Sequence, residues 1–393
     1  MNSGSSSPET EARLLAPTAL IKWKAKFFQR IKEYALRIFL VCLGILVPLL
    51  AAEVAVRFLD PRLLPPQVRD VVRTVTFLGA TEYITDSELG FTFRPGTDFQ
   101  AKGPEYSYRF KLSANYNGAG FRGGTLGGPA WGLAVGDSFT FGDGVDQEST
   151  WIAQLANLTS REIINLGVPG YGPQQYTRII ERYGISLRPR VIFYCLFTND
   201  LRDAEQFAAW KRHPTSKFSV AKFLRNHSVF ANLYHRWRRQ STLESRYVRL
   251  EKAGLDLSVR KLGDEINADS ARLRTVWPLI AREIDKASED SRQINARLVV
   301  LYFPSKEEVY WESIKSEMKN LESFNGRIHQ LRNTTMELCR SRPLLCFDLT
   351  PSLEEAARHG DHLYFSTDIH WNPSGHKLVA SAINRFLLDE KLL

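Results

Sequence analysis

The 393-residue chain carries 52 Lys and Arg against 43 Asp and Glu, a formal net charge of +9, and is 44% hydrophobic. That suffices for one substantial core with a small additional module. Four cysteines are too few for a disulfide framework, and no nucleic-acid motif accompanies the moderate basic excess, so a nucleic-acid partner is not expected.

Residues 1–36 read as a cytoplasmic basic tail, its first part, Met1 to about Pro17, rich in Ser, Glu and Thr and expected to be disordered. Lys22, Lys24, Lys26, Arg30, Lys32 and Arg37 precede the uncharged run Ile38–Ala52. Continued through Val54, Ala55 and Val56, that run reaches the roughly 20 apolar residues of a membrane span. Glu53 falls near its boundary, with Arg57 at i,i+4 spacing. Leu50-Ala51-Ala52 lacks the small residue needed three before a cleavage, and a buried soluble helix needs no such basic flank. Residues 37–58 therefore read as an uncleaved signal anchor, with a cytoplasmic N-terminus and the rest periplasmic or extracellular.

Residues 59–126 are punctuated by Pro and Gly, with short alternating runs such as Tyr106–Leu112, and predict a β-rich lead-in. Gly118–Gly123 has the spacing of a dinucleotide fingerprint but opens no helix, so no such cofactor is expected. Leu133, Ala134 and Val135 end a short buried strand, and Gly136 would permit a sharp turn. Ser138 then stands at the strand's C-terminal mouth, where open α/β sheets hold ligands. Trp151, Ile152, Leu155 and Leu158 recur at helical spacing. Further strands are expected at Arg161–Leu166, Val191–Phe197, Ala296–Phe303 and Leu344–Leu349, with a helix over Gln174–Ile185 and a closing helix begun by Pro373. This alternation implies an α/β fold, a doubly wound parallel sheet flanked by helices. Residues 204–290, rich in Arg, Lys and aromatics, read as a helical insertion. Cys42 and Cys195 are expected to act as small hydrophobes; Cys339 and Cys346 can pair if the compartment is oxidising.

Gly136-Asp137-Ser138-Phe139-Thr140 resembles the GDS-x-T block of the SGNH (GDSL) hydrolases. Asn165–Gly170, Thr198-Asn199-Asp200 and Asp368-Ile369-His370 resemble the family's later blocks in the right order. Asn117–Gly123 resembles the N-x-x-G-F-R-G segment of membrane-anchored members. The resemblance runs from about Gly127 to the C-terminus and implies a three-layer α/β/α hydrolase domain over residues 127–393. It implies a catalytic triad of Ser138 as nucleophile, His370 as general base and Asp368 as acid. It also implies an oxyanion hole from the Ser138 N–H, the Gly170 N–H, with Gly167 as fallback, and the Asn199 side chain. Two positions depart from the pattern. Thr367 stands where many members carry the acid, leaving Asp361 as a second choice, and Phe197 replaces a glycine two residues before Asn199, which would narrow the pocket or shift the loop.

The implied activity is cleavage of an acyl ester, of a lipid or an acylated glycan, through an acyl-serine. The same residues would serve transfer of an acyl group to a cell-surface polysaccharide, as in the alginate O-acetyltransferase relatives; a non-catalytic envelope-binding module is the reading from another class. His359-Gly360-Asp361-His362 with Asp368 and His370 lacks zinc spacing, so neither a metal nor a cofactor is expected. Ser305-Lys306 reads as an ordinary pair after a strand.

Overall fold

The computed structural model describes residues 17–59, 63–64, 83–102, 105–113, 120–123, 129–212, 228–244, 247–251, 254–258, 270–317 and 328–393. The expected disorder of the first residues, residues 65–82 after the anchor, and Asn117 to Ala119 lie outside them. Two compact units are formed, 1–79 with 218–238, and 80–217 with 239–393.

In the first unit, α1 (Pro17–Phe58) contains a stretch, Gln29–Val56, long and apolar enough to cross a membrane. Its Ile38, Phe39, Val41 and Ile45 side chains are exposed. Near its end, the Glu53 carboxylate accepts hydrogen bonds from Ser228 Oγ (2.9 Å), Val229 N (2.6 Å) and Phe230 N (3.1 Å). It thereby caps α5 (Val229–Glu244), where unpaired N–H groups attract a negative charge. The side chain of Arg57, the partner expected for Glu53, lies outside the described residues.

The second unit opens with two antiparallel hairpins, β1 (Tyr83–Asp86) with β2 (Gly90–Phe93) and β3 (Asp98–Lys102) with β4 (Ser107–Lys111). Its centre is a five-stranded sheet of β5 (Gly132–Val135), β6 (Ile163–Asn165), β7 (Val191–Phe197), β10 (Arg297–Phe303) and β11 (Leu345–Asp348). The spatial order is β6-β5-β7-β10-β11, and every neighbouring pair is parallel.

Strand periodicity divides the core into two layers. Leu133, Val135, Ile192, Tyr194, Leu196, Leu298, Val300 and Tyr302 face one side and pack with α4 (Pro173–Leu187) and α6 (Ser270–Gln293). Ala134, Phe193, Cys195, Phe197, Val299, Leu301 and Phe303 face the other, where α3 (Trp151–Thr159) and α8 (Pro373–Asp389) lie. β7, at the centre, is buried along its whole length, as expected of a strand covered on both faces.

The connection after β5 leads outward to β6, whereas the next crosses back over β5 to β7. The C-terminal ends of β5 and β7 therefore flank a switch point, where the connections diverge and leave a crevice. Ser138 follows β5 and Asn199 follows β7.

The span 204–290 is less uniform than the sequence suggests. α6 contributes Val276, Ile280, Ala281 and Ile284 to the core and is the crossover helix between β7 and β10. The span also contains a hairpin of β8 (Tyr247–Leu250) and β9 (Leu255–Ser258), separate from the central sheet. Its alternation is too short to stand out beside the helix-prone neighbours. Cys339 and Cys346 form a disulfide with Cα atoms 6.1 Å apart, joining the helix Gln330–Ser341 to edge strand β11.

Candidate active site

Ser138 begins α2 (Ser138–Phe141), a single turn whose N-cap, Asp137, accepts a hydrogen bond from Phe139 N. Gly136 makes the approach possible for a reason other than turn conformation. A Cβ there would stand 2.0 Å from Thr140 Oγ1 and 3.0 Å from Cys195 Cβ, so close packing rather than a left-handed backbone demands glycine.

The loop entering α8 brings His370 to Ser138 from 232 residues away, with Nε2 2.8 Å from Oγ. Nδ1 of the same ring is 2.5 Å from Asp368 Oδ1, which also accepts from His370 N at 2.9 Å. Serine, histidine and aspartate thus form one continuous line, in the arrangement of a base that takes the hydroxyl proton and an acid that orients the base. Ser138 and His370 are 8% and 9% exposed, which leaves the line largely shielded from water and strengthens its electrostatics.

Burial by itself would depress the His370 imidazole, but the hydrogen bond and charge of Asp368, aided by Asp143 and Asp137, prevail and raise its pKa. Burial would likewise raise Asp368, yet its bonds to His370 and the Lys306 charge hold it well below the carboxylate range. Only neutral His370 can accept the serine proton. The rate of Ser138 phosphonylation by a fluorophosphonate is therefore expected to climb with pH through a limb lying above the ordinary histidine value of 6.5, as a pH series of labelling rates would show.

The second histidine of this block has a different task. His376 Nδ1 accepts from Trp151 N at 3.2 Å at the start of α3, and burial, with the Arg122 and His370 charges, pushes its pKa down to about 3. It is a neutral acceptor. Asp361, the alternative acid, is exposed, and its carbonyl accepts from Tyr310 Oη at 2.7 Å. Among the described residues no cluster of His, Cys, Asp or Glu could hold a metal ion.

The oxyanion-hole candidates are less tightly drawn together. Gly170 lies exposed on the loop after β6 at φ +81°, a backbone conformation that favours glycine. Gly167 packs against α2, where a Cβ would stand 2.4 Å from Phe141 N, and its own N–H is spent on Asn165 Oδ1 at 3.0 Å. That leaves Gly170 as the available donor of this block. Asn199 lies beside the Asp137 carboxylate, one residue from Ser138, and its Oδ1 is buried without a hydrogen-bond partner among the described residues. Phe197 is buried against Phe139, ring centres 4.0 Å apart, and Phe139 in turn packs against His370 at 5.0 Å. The larger side chain props the residue after Ser138 from beneath.

The lead-in supplies a support that residue spacing does not reveal. The buried Arg122 guanidinium donates to Phe141 O (3.0 Å), Gly142 O (2.5 Å), Val145 O and Gln147 Oε1 (2.9 Å). It also lies over the rings of Tyr108, Phe110 and Phe141. Arg122 thus ties the carbonyls at the end of α2, which α2 itself cannot pair. Each buried carbonyl left without a donor costs about 1–3 kcal/mol. Phe141 O keeps a second donor, Asn165 Nδ2 at 3.2 Å, so Arg122→Leu takes the donor from Gly142 O and Val145 O and is expected to lower Tm by at least about 4 °C, at roughly 2–4 °C per kcal/mol; differential scanning fluorimetry reads it.

Among solved structures, an acetyl xylan esterase, AlAXEase, is similar at 13% identity over 65% of this chain and 99% of that one, with a TM-score of 0.37. A catalytic mutant of the acetylxylan esterase Axe2 from Geobacillus stearothermophilus shows 12% identity over 66% and 94%, with a TM-score of 0.35. A GDSL-like lipase from Bacteroides thetaiotaomicron shows 12% identity over 67% and 88%, with a TM-score of 0.34. No curated protein matches. The model of the GDSL-like Lipase/Acylhydrolase family matches residues 134–378, from the strand before Ser138 into the helix after His370, and the chain belongs to that family.

Proposed function

We propose that this hydrolase cleaves an acyl ester through an acyl-enzyme on Ser138. The reading is carried by the 2.8 Å contact between His370 Nε2 and Ser138 Oγ. His370 takes the hydroxyl proton as Oγ attacks the ester carbonyl, then gives it to the departing alcohol; water, activated by the same ring, releases the acid. Asp368 holds the imidazole in the required tautomer. The Ser138 N–H, the Gly170 N–H and the Asn199 carboxamide stabilise the oxyanion, each worth on the order of 10²–10³ in rate. The test is a screen of the solubilised full-length chain against short- and long-chain esters and acetylated glycans, with a glycan acceptor added in parallel to separate transfer from hydrolysis. Lack of turnover together with lack of fluorophosphonate uptake by folded protein would sink the reading.

The protein is held in a membrane by α1, with its hydrolase domain outside the cytoplasm. Supporting this are the exposed apolar face of α1, the preceding Lys and Arg residues, which are retained in the cytoplasm, and the Cys339–Cys346 disulfide, which persists in oxidising compartments. Extraction by alkaline carbonate, or protease digestion only after permeabilisation of the cytoplasmic face, would contradict it.

A further inference from the structure

Lys306 stands at the start of α7 (Lys306–Val309), directly beyond the C-terminal end of β10, where Ser305 caps the helix and pairs reciprocally with Glu308. Its side chain is buried. The three N–H groups of Nζ are shared among four backbone carbonyls, Phe365 O (3.1 Å), Ser366 O (2.8 Å) and Asp368 O (3.0 Å) of the acid-bearing loop, and Asp256 O (3.1 Å) of β9. Three carbonyl oxygens of one short loop converging on a point repel one another, and a cation at that point turns the conformation into a minimum. The same loop is gripped on its N–H side, since Ser366 N, Thr367 N and Thr367 Oγ1 all donate to the Glu105 carboxylate. Tyr106 Oη reaches Asp368 Oδ2 at 3.4 Å.

We propose that Lys306 is a positioning residue of the hydrolase. Its ammonium sets the backbone of residues 365–368 so that the Asp368 carboxylate meets His370 Nδ1, and Asp256 links the β8–β9 hairpin to the same point. The proposal rests on the Ser138–His370–Asp368 reading. Lys306 has no part in proton transfer from Ser138: its donors are spent on carbonyls, and the serine oxygen is served by His370. Burial depresses the Lys306 pKa, while Glu307, Asp368, Glu105 and Asp256 favour its charged form. The groups acting on His370 are Asp368, Asp143 and Asp137.

A double-mutant cycle on the solubilised full-length chain tests this, reading the second-order rate of fluorophosphonate uptake and the thermal midpoint. Lys306→Met is expected to slow uptake 10- to 100-fold in the wild-type background and less than threefold in the Asp368→Asn background, because a residue acting through Asp368 has nothing left to position. A purely structural residue would cost the same factor in both. Lys306→Gln, which keeps two donors without the charge, carries the same cycle if the methionine variant does not fold. A loss below threefold in the wild-type background, equal losses in both, or failure of both variants to fold would overturn the proposal. Wild-type protein that is folded yet unreactive would instead remove the hydrolase reading on which it rests.

Discussion

Ser138→Ala is expected to eliminate fluorophosphonate uptake and lower ester turnover by a factor on the order of 10⁶, the loss seen when the nucleophile of such a catalytic unit is removed. The fold should survive. Gly142 N and Asp143 N both donate to the Ser138 backbone carbonyl, at 2.9 and 3.0 Å, and alanine preserves both bonds while favouring the helical turn. The side chain's hydrogen bond to His370 is lost, which costs about 1 kcal/mol. Rates and the thermal midpoint measured on one preparation separate the two effects. Turnover retained by the variant would place the nucleophile elsewhere.

Asp368→Asn should reduce the rate by on the order of 10⁴ while leaving the loop in place. An asparagine amide donates to Nδ1 where the carboxylate accepts from it. The ring is then held with its proton on Nε2, which faces Ser138 and can no longer receive the hydroxyl proton. A second effect runs in the opposite sense. Without the carboxylate, burial dominates the imidazole and its pKa falls, so the acid limb of the pH–rate profile moves to lower pH as the plateau collapses. The pair of changes distinguishes a lost orienting acid from general loosening. If the plateau stayed at the wild-type level, Asp368 would not be the acid, and the exposed Asp361 would have to be re-examined.

Sequence periodicity and structure agree closely for the central sheet. Val191–Phe197 is the same strand in both, and Ala296–Phe303 shifts by one residue, because a strand buried on two faces leaves an uninterrupted apolar run that few other elements produce. Span 204–290 was harder. Its final helix is amphipathic like any crossover helix, and nothing local distinguishes core from insertion. Gly136 and Phe197 show another boundary of sequence reading: both positions were recognisable, but the neighbours that give them meaning, Thr140 folding back and Phe139 stacking above, exist only once the chain is packed.

The order of strands and helices in the central sheet was determined by sequence alone, since hydrophobic period and turn chemistry are local properties, and the serine after the first core strand and the histidine before the last helix were marked by short motifs that resemble a family's blocks. Tertiary structure alone decided that Ser138 and His370 meet across 232 residues, and that Lys306, Glu105 and Arg122 brace the loops on which the line depends. Those three bind main-chain carbonyls and N–H groups, which every residue possesses, so their targets leave no mark in the order of side chains.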